Sequence, residues 1–185
     1  MTKIINLFGG PGSGKSTLAA GVFYELKKNN VNCELVNEFA KDIVWDGTNA
    51  LLENQLYIFA EQFRRQWRLI NKVDYVITDS PLALSCVYHD YLSVQNAKKN
   101  TKNYIESTRN FFMQSFLEFD NLNFVVRRKP LYNPIGRIQT EDAAKRIDND
   151  ILKLLRNNSI QFFDTDSTNL GVQRVVSYLL DVPKE

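Results

Sequence analysis

Four glycines and a proline interrupt the sequence between an apolar segment and a helical pattern near its amino terminus. Residues 3–8 are largely apolar and β-branched, which predicts a buried strand, and residues 15–29 have the spacing of a helix. Between them lies GGPGSGKS, residues 9–16, which fits the phosphate-binding pattern GxxxxGK[ST] in the strand-to-helix context that the pattern requires. The chain must therefore fold so that the end of a strand and the start of a helix meet at a phosphate group.

Each residue type in this segment, called the P-loop below, has a physical role in holding a polyphosphate. Glycines let the main chain approach the phosphate oxygens closely, and the start of the helix adds partial positive charge. Lys15 supplies a cation to the β- and γ-phosphates, and Ser16 supplies a hydroxyl to Mg²⁺. We therefore predict that the chain binds ATP with Mg²⁺. The predicted nucleotide-binding residues are Gly9, Gly10, Pro11, Gly12, Ser13, Gly14, Lys15, Ser16 and Thr17.

Strands and helices alternate along the rest of the chain. Further strands are predicted at 32–36, 74–78, 124–128 and 160–163, and further helices at 49–71, 83–92, 103–119, 141–157 and 170–180. This alternation is typical of a parallel sheet that is covered by helices on both faces. The expected fold class is α/β, a three-layer P-loop NTPase fold with a five-stranded parallel sheet and a basic lid, formed by a single domain at residues 1–185.

The composition favours a packed domain without a large charged surface. The 185 residues are 44% hydrophobic, and 23 basic residues against 21 acidic ones leave a net charge of +2, so any basic surface must be local. Cys33 and Cys86 lack the spacing of a metal site or of a disulfide framework, which favours a reducing, cytoplasmic environment. Neither a signal peptide nor an apolar run of about 18 residues is evident, so we expect a soluble protein with no membrane partner.

A carboxylate follows the third predicted strand, at the edge of the sheet where ligands bind. Asp79 ends the segment DYVITD, which is the expected place for an acidic residue that holds Mg²⁺ through water. Ser80 and Pro81 stand where motor-type ATPases need a base to activate water, which favours transfer to another acceptor over hydrolysis. The segment NKVD at 71–74 fits the guanine-binding pattern of GTPases, but it precedes a strand and so belongs to the opposite edge.

Basic residues concentrate after the fourth predicted strand. The segment RRKPLYNPIGRIQTEDAAKR, residues 127–146, contains two prolines and a glycine, with six basic residues against two acidic ones. Such a lid would neutralise the charge that spreads over a transferring phosphoryl group. Arg137 is the leading candidate for this role, followed by Arg128 and Arg146. A solvated basic loop is the alternative.

Carboxylates also follow the second predicted strand, at the same edge of the sheet. Glu38 lies directly past this strand, and Asp42 follows one helical turn later. One of them would serve as the general base for the acceptor hydroxyl, although a carboxylate at this position is also favoured by the helix dipole alone. Gln55 and Gln62 share a face of the next helix, where they would contact a base edge or simply be solvated.

Together these segments resemble the small P-loop kinases of nucleosides and nucleotides. KIINLFGGPGSGKSTLA, ELVNEFAKD and DYVITDSPL are similar to segments of phage-encoded kinases related to thymidylate kinase, including the 5-hydroxymethyluracil DNA kinases. The resemblance implies phosphorylation of the 5-hydroxymethyl group of 5-hydroxymethyluracil in phage DNA, a step of base hypermodification in the host cytoplasm. The predicted catalytic residues are Lys15, Glu38, Asp79, Arg128 and Arg137, and the predicted Mg²⁺ ligands are Ser16 and Asp79.

Other acceptors and another class of function stay open at this level. Ser80 replaces the arginine that follows this aspartate in thymidylate kinases, which weakens the case for a monophosphate acceptor. A kinase of a free (deoxy)nucleoside or nucleoside monophosphate is one alternative, and a regulatory ATPase is another. The basic stretch at 96–110 suits DNA but also suits a solvated loop, His89 suits either a substrate contact or a structural role, and exposed aromatic residues leave a homodimer open.

Overall fold

The computed structural model describes residues 1–95, 101–128 and 140–181. Within these ranges the chain forms a five-stranded sheet with helices between the strands. The strands are β1 (Lys3–Phe8), β2 (Cys33–Val36), β3 (Tyr75–Thr78), β4 (Asp120–Val126) and β5 (Phe163–Thr165). The α-helices are α1 (Lys15–Lys28), α2 (Phe39–Trp45), α3 (Gln55–Trp67), α4 (Leu84–Gln95), α5 (Lys102–Leu117), α6 (Glu141–Asn157) and α7 (Asn169–Asp181), with a 3₁₀ helix at Asn49–Glu53.

All neighbouring strands run parallel, in the order β2-β3-β1-β4-β5. The chain leaves β1 towards one side to build β2 and β3, and then crosses to the other side to build β4 and β5. The strand order thus reverses at β1, where ligands of open α/β sheets bind beyond the carboxyl ends of the strands. The connections after β1, β3 and β4 carry the P-loop, Asp79 and Arg128, so this topology brings the three together.

Helices cover both faces of the sheet. Successive side chains of a strand point to opposite faces, so β1 places apolar side chains against the helices on each side. Ile5 and Leu7 pack with buried residues of α1 and α7, whereas Phe8 packs with residues of α3, α4, α5 and α6. The predicted three-layer α/β P-loop NTPase fold with a five-stranded parallel sheet is confirmed. Among the described helices, none is both long enough and apolar enough to cross a membrane.

The structure corrects several element boundaries. β4 begins at Asp120, before the predicted residue 124, because Asn121 and Asn123 satisfy their polar groups inside the sheet: Asn6 Nδ2 of β1 donates to their Oδ1 atoms at 2.8 and 3.0 Å. The predicted helix at 49–71 is divided at Asn54, whose side chain accepts a hydrogen bond from Tyr57 N and thereby caps α3.

The last strand also differs from its prediction. β5 covers Phe163–Thr165, whereas the sequence predicted 160–163. Ile160 N donates to Leu155 O at the end of α6, and the side chains of Ile160 and Phe162 pack against the helical core on that side of the sheet. These apolar residues before β5 therefore belong to the core and the helix end, and the strand starts later than its apolar pattern indicated.

Candidate active site

The P-loop connects the end of β1 to the start of α1 through glycines in unusual conformations. Gly12 and Gly14 have φ angles of 79° and 99°, in the left-handed region that L side chains rarely adopt. Ser13 N donates to Gly10 O at 3.2 Å and tightens the turn. These contacts give the segment the wrapped main chain that its sequence predicts.

The Lys15 side chain reaches back across this loop. It is only 7% exposed, and its Nζ donates to Gly10 O at 3.1 Å. A buried ammonium group needs such partners because leaving water is costly for a charge. The cation is therefore held against the main chain of the loop that it is predicted to serve.

Ser16 and Asp79 form the second part of the site. Ser16 Oγ donates to Asp79 Oδ2 at 2.6 Å, and Glu38 N donates to Asp79 Oδ1 at 2.9 Å. Asp79 is 3% exposed. Because Ser16 follows β1, Glu38 follows β2 and Asp79 follows β3, these contacts bring the segments after three strands together at one buried carboxylate.

This pair of oxygen donors fits Mg²⁺. A hydroxyl and a carboxylate are hard ligands, and Mg²⁺ in phosphate-transfer sites takes few protein ligands and completes its shell with water and phosphate oxygens. The part of the chain that the structure describes contains no cluster of three or more His, Cys, Asp or Glu residues suited to a metal. Ser16 and Asp79 thus match the sparse protein ligand set of a nucleotide-bound magnesium ion.

The two carboxylates considered as general base lie in different surroundings. Glu38 immediately precedes α2 and is half-buried beside Asp79, through the hydrogen bond of its main-chain N–H. Its side chain makes no capping hydrogen bond to the helix. Asp42 is exposed and accepts a hydrogen bond from Arg65 Nη2 at 2.7 Å, which ties α2 to α3. Position therefore favours Glu38 over Asp42 as the carboxylate of the site.

The two glutamines of α3 are engaged with the main chain. Gln62 is 3% exposed; its Oε1 accepts from Phe39 N at 2.9 Å, and its Nε2 donates to Asn37 O at 3.3 Å. Gln55 Nε2 donates to Leu52 O at 2.7 Å. Gln62 therefore holds the start of α2 in place, and Gln55 joins α3 to the 3₁₀ helix before it, so the geometry favours a structural role for both amides.

Of the basic residues in the predicted lid, Arg128 contacts the P-loop. Its Nη1 donates to Pro11 O and its Nε to Asp148 Oδ2, both at 2.8 Å, and its side chain is 11% exposed. Arg146 lies exposed on α6. Residues 129–139, including Arg137, lie outside the described residues.

Two residues near the P-loop had no signal in the sequence. Asp148 of α6 accepts a hydrogen bond from Gly10 N at 2.5 Å. Ser167, after β5, lies against Gly14, where a Cβ atom would come within 2.6 Å of the Ser167 Cβ. Neither residue belongs to a motif, and only the strand order could have indicated that the segments after β4 and β5 border the loop.

The remaining residues considered as substrate contacts have structural partners. His89 is 5% exposed, its Nε2 lies 3.3 Å from Ile105 O, and its ring packs edge-on against Tyr104 and Phe112. In the described part of the basic stretch, Lys102 pairs with Glu106, and Arg109 pairs with Asp90. Lys98 and Lys99 lie outside the described residues. The geometry therefore favours the structural role of His89.

Sequence comparison assigns the chain to a family. Residues 4–172, which include the P-loop, Asp79 and Asp148, match the family described as AAA domain. The chain belongs to this AAA domain family. A comparison of the sequence of this AAA domain with curated proteins finds no match.

Solved structures show where its fold recurs. A structure of NadR protein in complex with NAD and AMP-PNP is similar at a TM-score of 0.70 and 13% identity, over 100% of this chain and 51% of the other. The AAA domain thus spans about half the length of NadR. Deoxyadenosine kinase from M. mycoides with bound dATP is similar at a TM-score of 0.61 and 18% identity, over 97% of this chain and 100% of the other. The same kinase with dCMP and dCDP gives a TM-score of 0.61 at 15% identity. These likenesses establish the shared fold.

Proposed function

We propose that this AAA domain is an ATP-dependent phosphotransferase that phosphorylates a hydroxyl group of a nucleoside-like acceptor. The observation that carries the proposal is the contact of Ser16 Oγ with Asp79 Oδ2 at 2.6 Å, beside a P-loop whose Lys15 is held over the main chain. Asp79 is followed by Ser80, so the base of a motor-type ATPase is missing there. The fold shared with a deoxyadenosine kinase adds support. The proposed kinase domain covers residues 1–185, with the lid at about 127–146.

Binding of ATP would use groups that the structure already gathers. The main-chain N–H groups of the P-loop and the start of α1 surround the polyphosphate, and Lys15 exchanges Gly10 O for a phosphate oxygen. Ser16 and Asp79 would hold Mg²⁺, which when bound neutralises charge on the β- and γ-phosphate oxygens.

In the transfer step, a bond forms between the acceptor oxygen and the γ-phosphorus while the bond from that phosphorus to the β-bridging oxygen of ADP breaks. The proton of the acceptor hydroxyl passes to Glu38, whose position next to Asp79 supports this role. Arg128, together with Arg137, stabilises the charge that spreads over the phosphoryl oxygens. Arg128 is well placed for this because it donates to Pro11 O of the P-loop.

The acceptor that we propose is the 5-hydroxymethyl group of 5-hydroxymethyluracil in phage DNA. Its support is the similarity of three segments, around residues 3–19, 34–42 and 74–82, to the phage-encoded kinases that act on this base. The second candidate is a free deoxynucleoside or its monophosphate, which the deoxyadenosine kinase structures with dATP, dCMP and dCDP favour.

A panel of acceptors separates these candidates. The protein is incubated with γ-labelled ATP and Mg²⁺, and with duplex DNA that contains either 5-hydroxymethyluracil or thymine at the same positions, free deoxynucleosides, or deoxynucleoside monophosphates. We expect label in the hydroxymethyluracil DNA and none in the matched thymine DNA. Label in free nucleosides or monophosphates alone would replace the DNA acceptor by the second candidate. Release of label only as free phosphate, whatever the acceptor, would overturn the kinase function.

A further inference from the structure

We propose that Asp148 is a positioning residue of the P-loop, which couples the main chain at Gly10 to the guanidinium of Arg128. The proposal rests on the phosphotransferase function above. One carboxylate makes both contacts: Oδ1 accepts from Gly10 N at 2.5 Å, and Oδ2 accepts from Arg128 Nε at 2.8 Å. Helix α6 is thereby joined directly to the phosphate-binding loop.

Gly10 is the residue through which this contact reaches the predicted catalytic lysine. Its N–H donates to Asp148, while its carbonyl oxygen accepts from Ser13 N at 3.2 Å and from Lys15 Nζ at 3.1 Å. Because both main-chain groups of Gly10 are engaged, the first half of the P-loop is fixed before ATP arrives. Asp148 supplies the one contact among these that comes from outside the loop and its helix.

Arg128 contacts both Asp148 and the P-loop. Its Nη1 donates to Pro11 O, so the guanidinium bridges the carboxylate of Asp148 and the main chain of the P-loop. The side chains of Arg128 and Asp148 are only 11% and 26% exposed, and a charge-assisted pair is stronger where water is partly excluded. Asp148 therefore sets the orientation of a cation at the edge of the proposed phosphate site.

The packing at Gly10 also supports a direct contact between α6 and the P-loop. A Cβ atom there would lie 2.7 Å from Ala144 O and 2.8 Å from Asp148 Oδ1. The phosphate-binding pattern does not require glycine at this second position, and Gly10 is not among the residues with positive φ. Glycine is needed here because the main chain of α6 lies directly against the loop.

The neighbouring ion pair provides a matched control. Arg127 precedes Arg128 in the chain and pairs with Asp164 at 2.8 Å, but those side chains are 48% and 54% exposed, and Asp164 lies on β5 and not in the P-loop. Asp164→Asn thus removes an ion pair of the same chemistry at the adjacent position. An effect of Asp148 substitutions that Asp164→Asn does not share must come from the contacts of Asp148 with Gly10 and Arg128.

Two substitutions of Asp148 separate its two contacts. Asp148→Asn keeps an oxygen that accepts from Gly10 N but loses the ionic bond to Arg128, whereas Asp148→Ala loses both. For Asp148→Asn we expect a dissociation constant for AMP-PNP within about twofold of the parent and a kcat lowered about tenfold, the scale of one charge-assisted hydrogen bond. For Asp148→Ala we expect the same loss of kcat and also a dissociation constant raised about tenfold.

The experiment measures AMP-PNP binding by titration calorimetry, and kcat and KM by transfer of label, on the full chain. Asp164→Asn should match the parent in both. If both Asp148 variants match it too, or if both lose binding and kcat equally, the proposal is overturned. Should Asp148→Ala fail to fold, Asp148→Asn alone decides through its split between binding and kcat. AMP-PNP binding is measured without any phosphoryl transfer, so the two proposals can fail separately. A parent protein that binds AMP-PNP but transfers no label refutes the phosphotransferase function. The change of AMP-PNP affinity in Asp148→Ala would then still test whether Asp148 anchors the P-loop.

Discussion

At the scale of single residues, Lys15 carries the charge on which the proposed chemistry depends. Its ammonium group donates a hydrogen bond to Gly10 O, and the Lys15 side chain is buried. Lys15→Ala should lower kcat by about a hundredfold or more, the scale of losing one preorganised donor to the reacting group. The fold should persist, since Lys15 belongs to none of the hydrophobic core clusters among the described residues. Rates are measured by label transfer and folding by thermal unfolding; a rate near that of the parent would refute the role of Lys15.

Asp79 is the residue through which magnesium is predicted to act. Asp79→Asn keeps an oxygen that accepts a hydrogen bond from Glu38 N, but it removes the negative charge. We expect the Mg²⁺ concentration for half-maximal rate to rise about tenfold, as for weakening one charged contact to the ion. Asp42→Asn is the control, because Asp42 pairs with Arg65 at the surface. An unchanged magnesium dependence in Asp79→Asn would remove Asp79 from the metal site.

The two cysteines are predicted to be unreactive in the folded protein. Both are buried, and burial raises the pKa of Cys86 to about 12 and raises that of Cys33 as well. Because the thiolate is the reactive form and a raised pKa makes it scarce near neutral pH, a thiol reagent should label neither residue until the chain unfolds. The measurement is a thiol titration with and without denaturant. Rapid labelling of a thiol in the native protein would contradict the buried placement.

At the scale of elements, α6 and the P-loop are in direct main-chain contact at Gly10. Gly10→Ala would place a Cβ atom 2.7 Å from Ala144 O, so α6 must shift away from the loop. We expect a loss of stability of about 1–3 kcal/mol, as for overpacking, together with weaker AMP-PNP binding.

Gly47→Ala is the matched control for Gly10→Ala. Gly47 has a φ of 70° and nothing within 4 Å of its Cβ position. The control should lose about 1–2 kcal/mol through backbone strain without any change in AMP-PNP affinity. Equal AMP-PNP affinities for the two variants would contradict the contact between α6 and the loop.

The elements that were predictable have patterns that local chemistry determines. β1 and α6 have the predicted bounds, and α1 ends only one residue earlier than predicted. These bounds were predictable because a glycine-rich loop separates β1 from α1, and because a capping threonine at residue 140 and an apolar stripe mark α6. The start of β4 was not predictable from its polar residues, since the Oδ1 atoms of Asn121 and Asn123 accept hydrogen bonds from Asn6 of another strand. The break that divides the 49–71 pattern likewise depends on the cap that Asn54 forms at the start of α3.

At the scale of the whole molecule, the strand order places the parts of the site together. The P-loop was predicted from its GxxxxGK[ST] pattern, and Asp79 from its place at the end of a strand, since the carboxyl ends of parallel strands lie at the same edge of the sheet. Asp148 was not identified, because it reaches Gly10 across 138 residues of chain and has no motif of its own. Contacts of this kind follow from the packing of α6 and not from any local pattern.

The proposed activity of this fold is to hold the polyphosphate of ATP for transfer to a nucleoside-like hydroxyl. The most direct measurement compares ADP production with phosphorylated acceptor in the same reaction, using hydroxymethyluracil DNA and its thymine counterpart. We predict one ADP for each phosphorylated acceptor group, with ADP production falling to background when the thymine DNA is used. ADP production at the same rate with either DNA, and without a phosphorylated product, would contradict it.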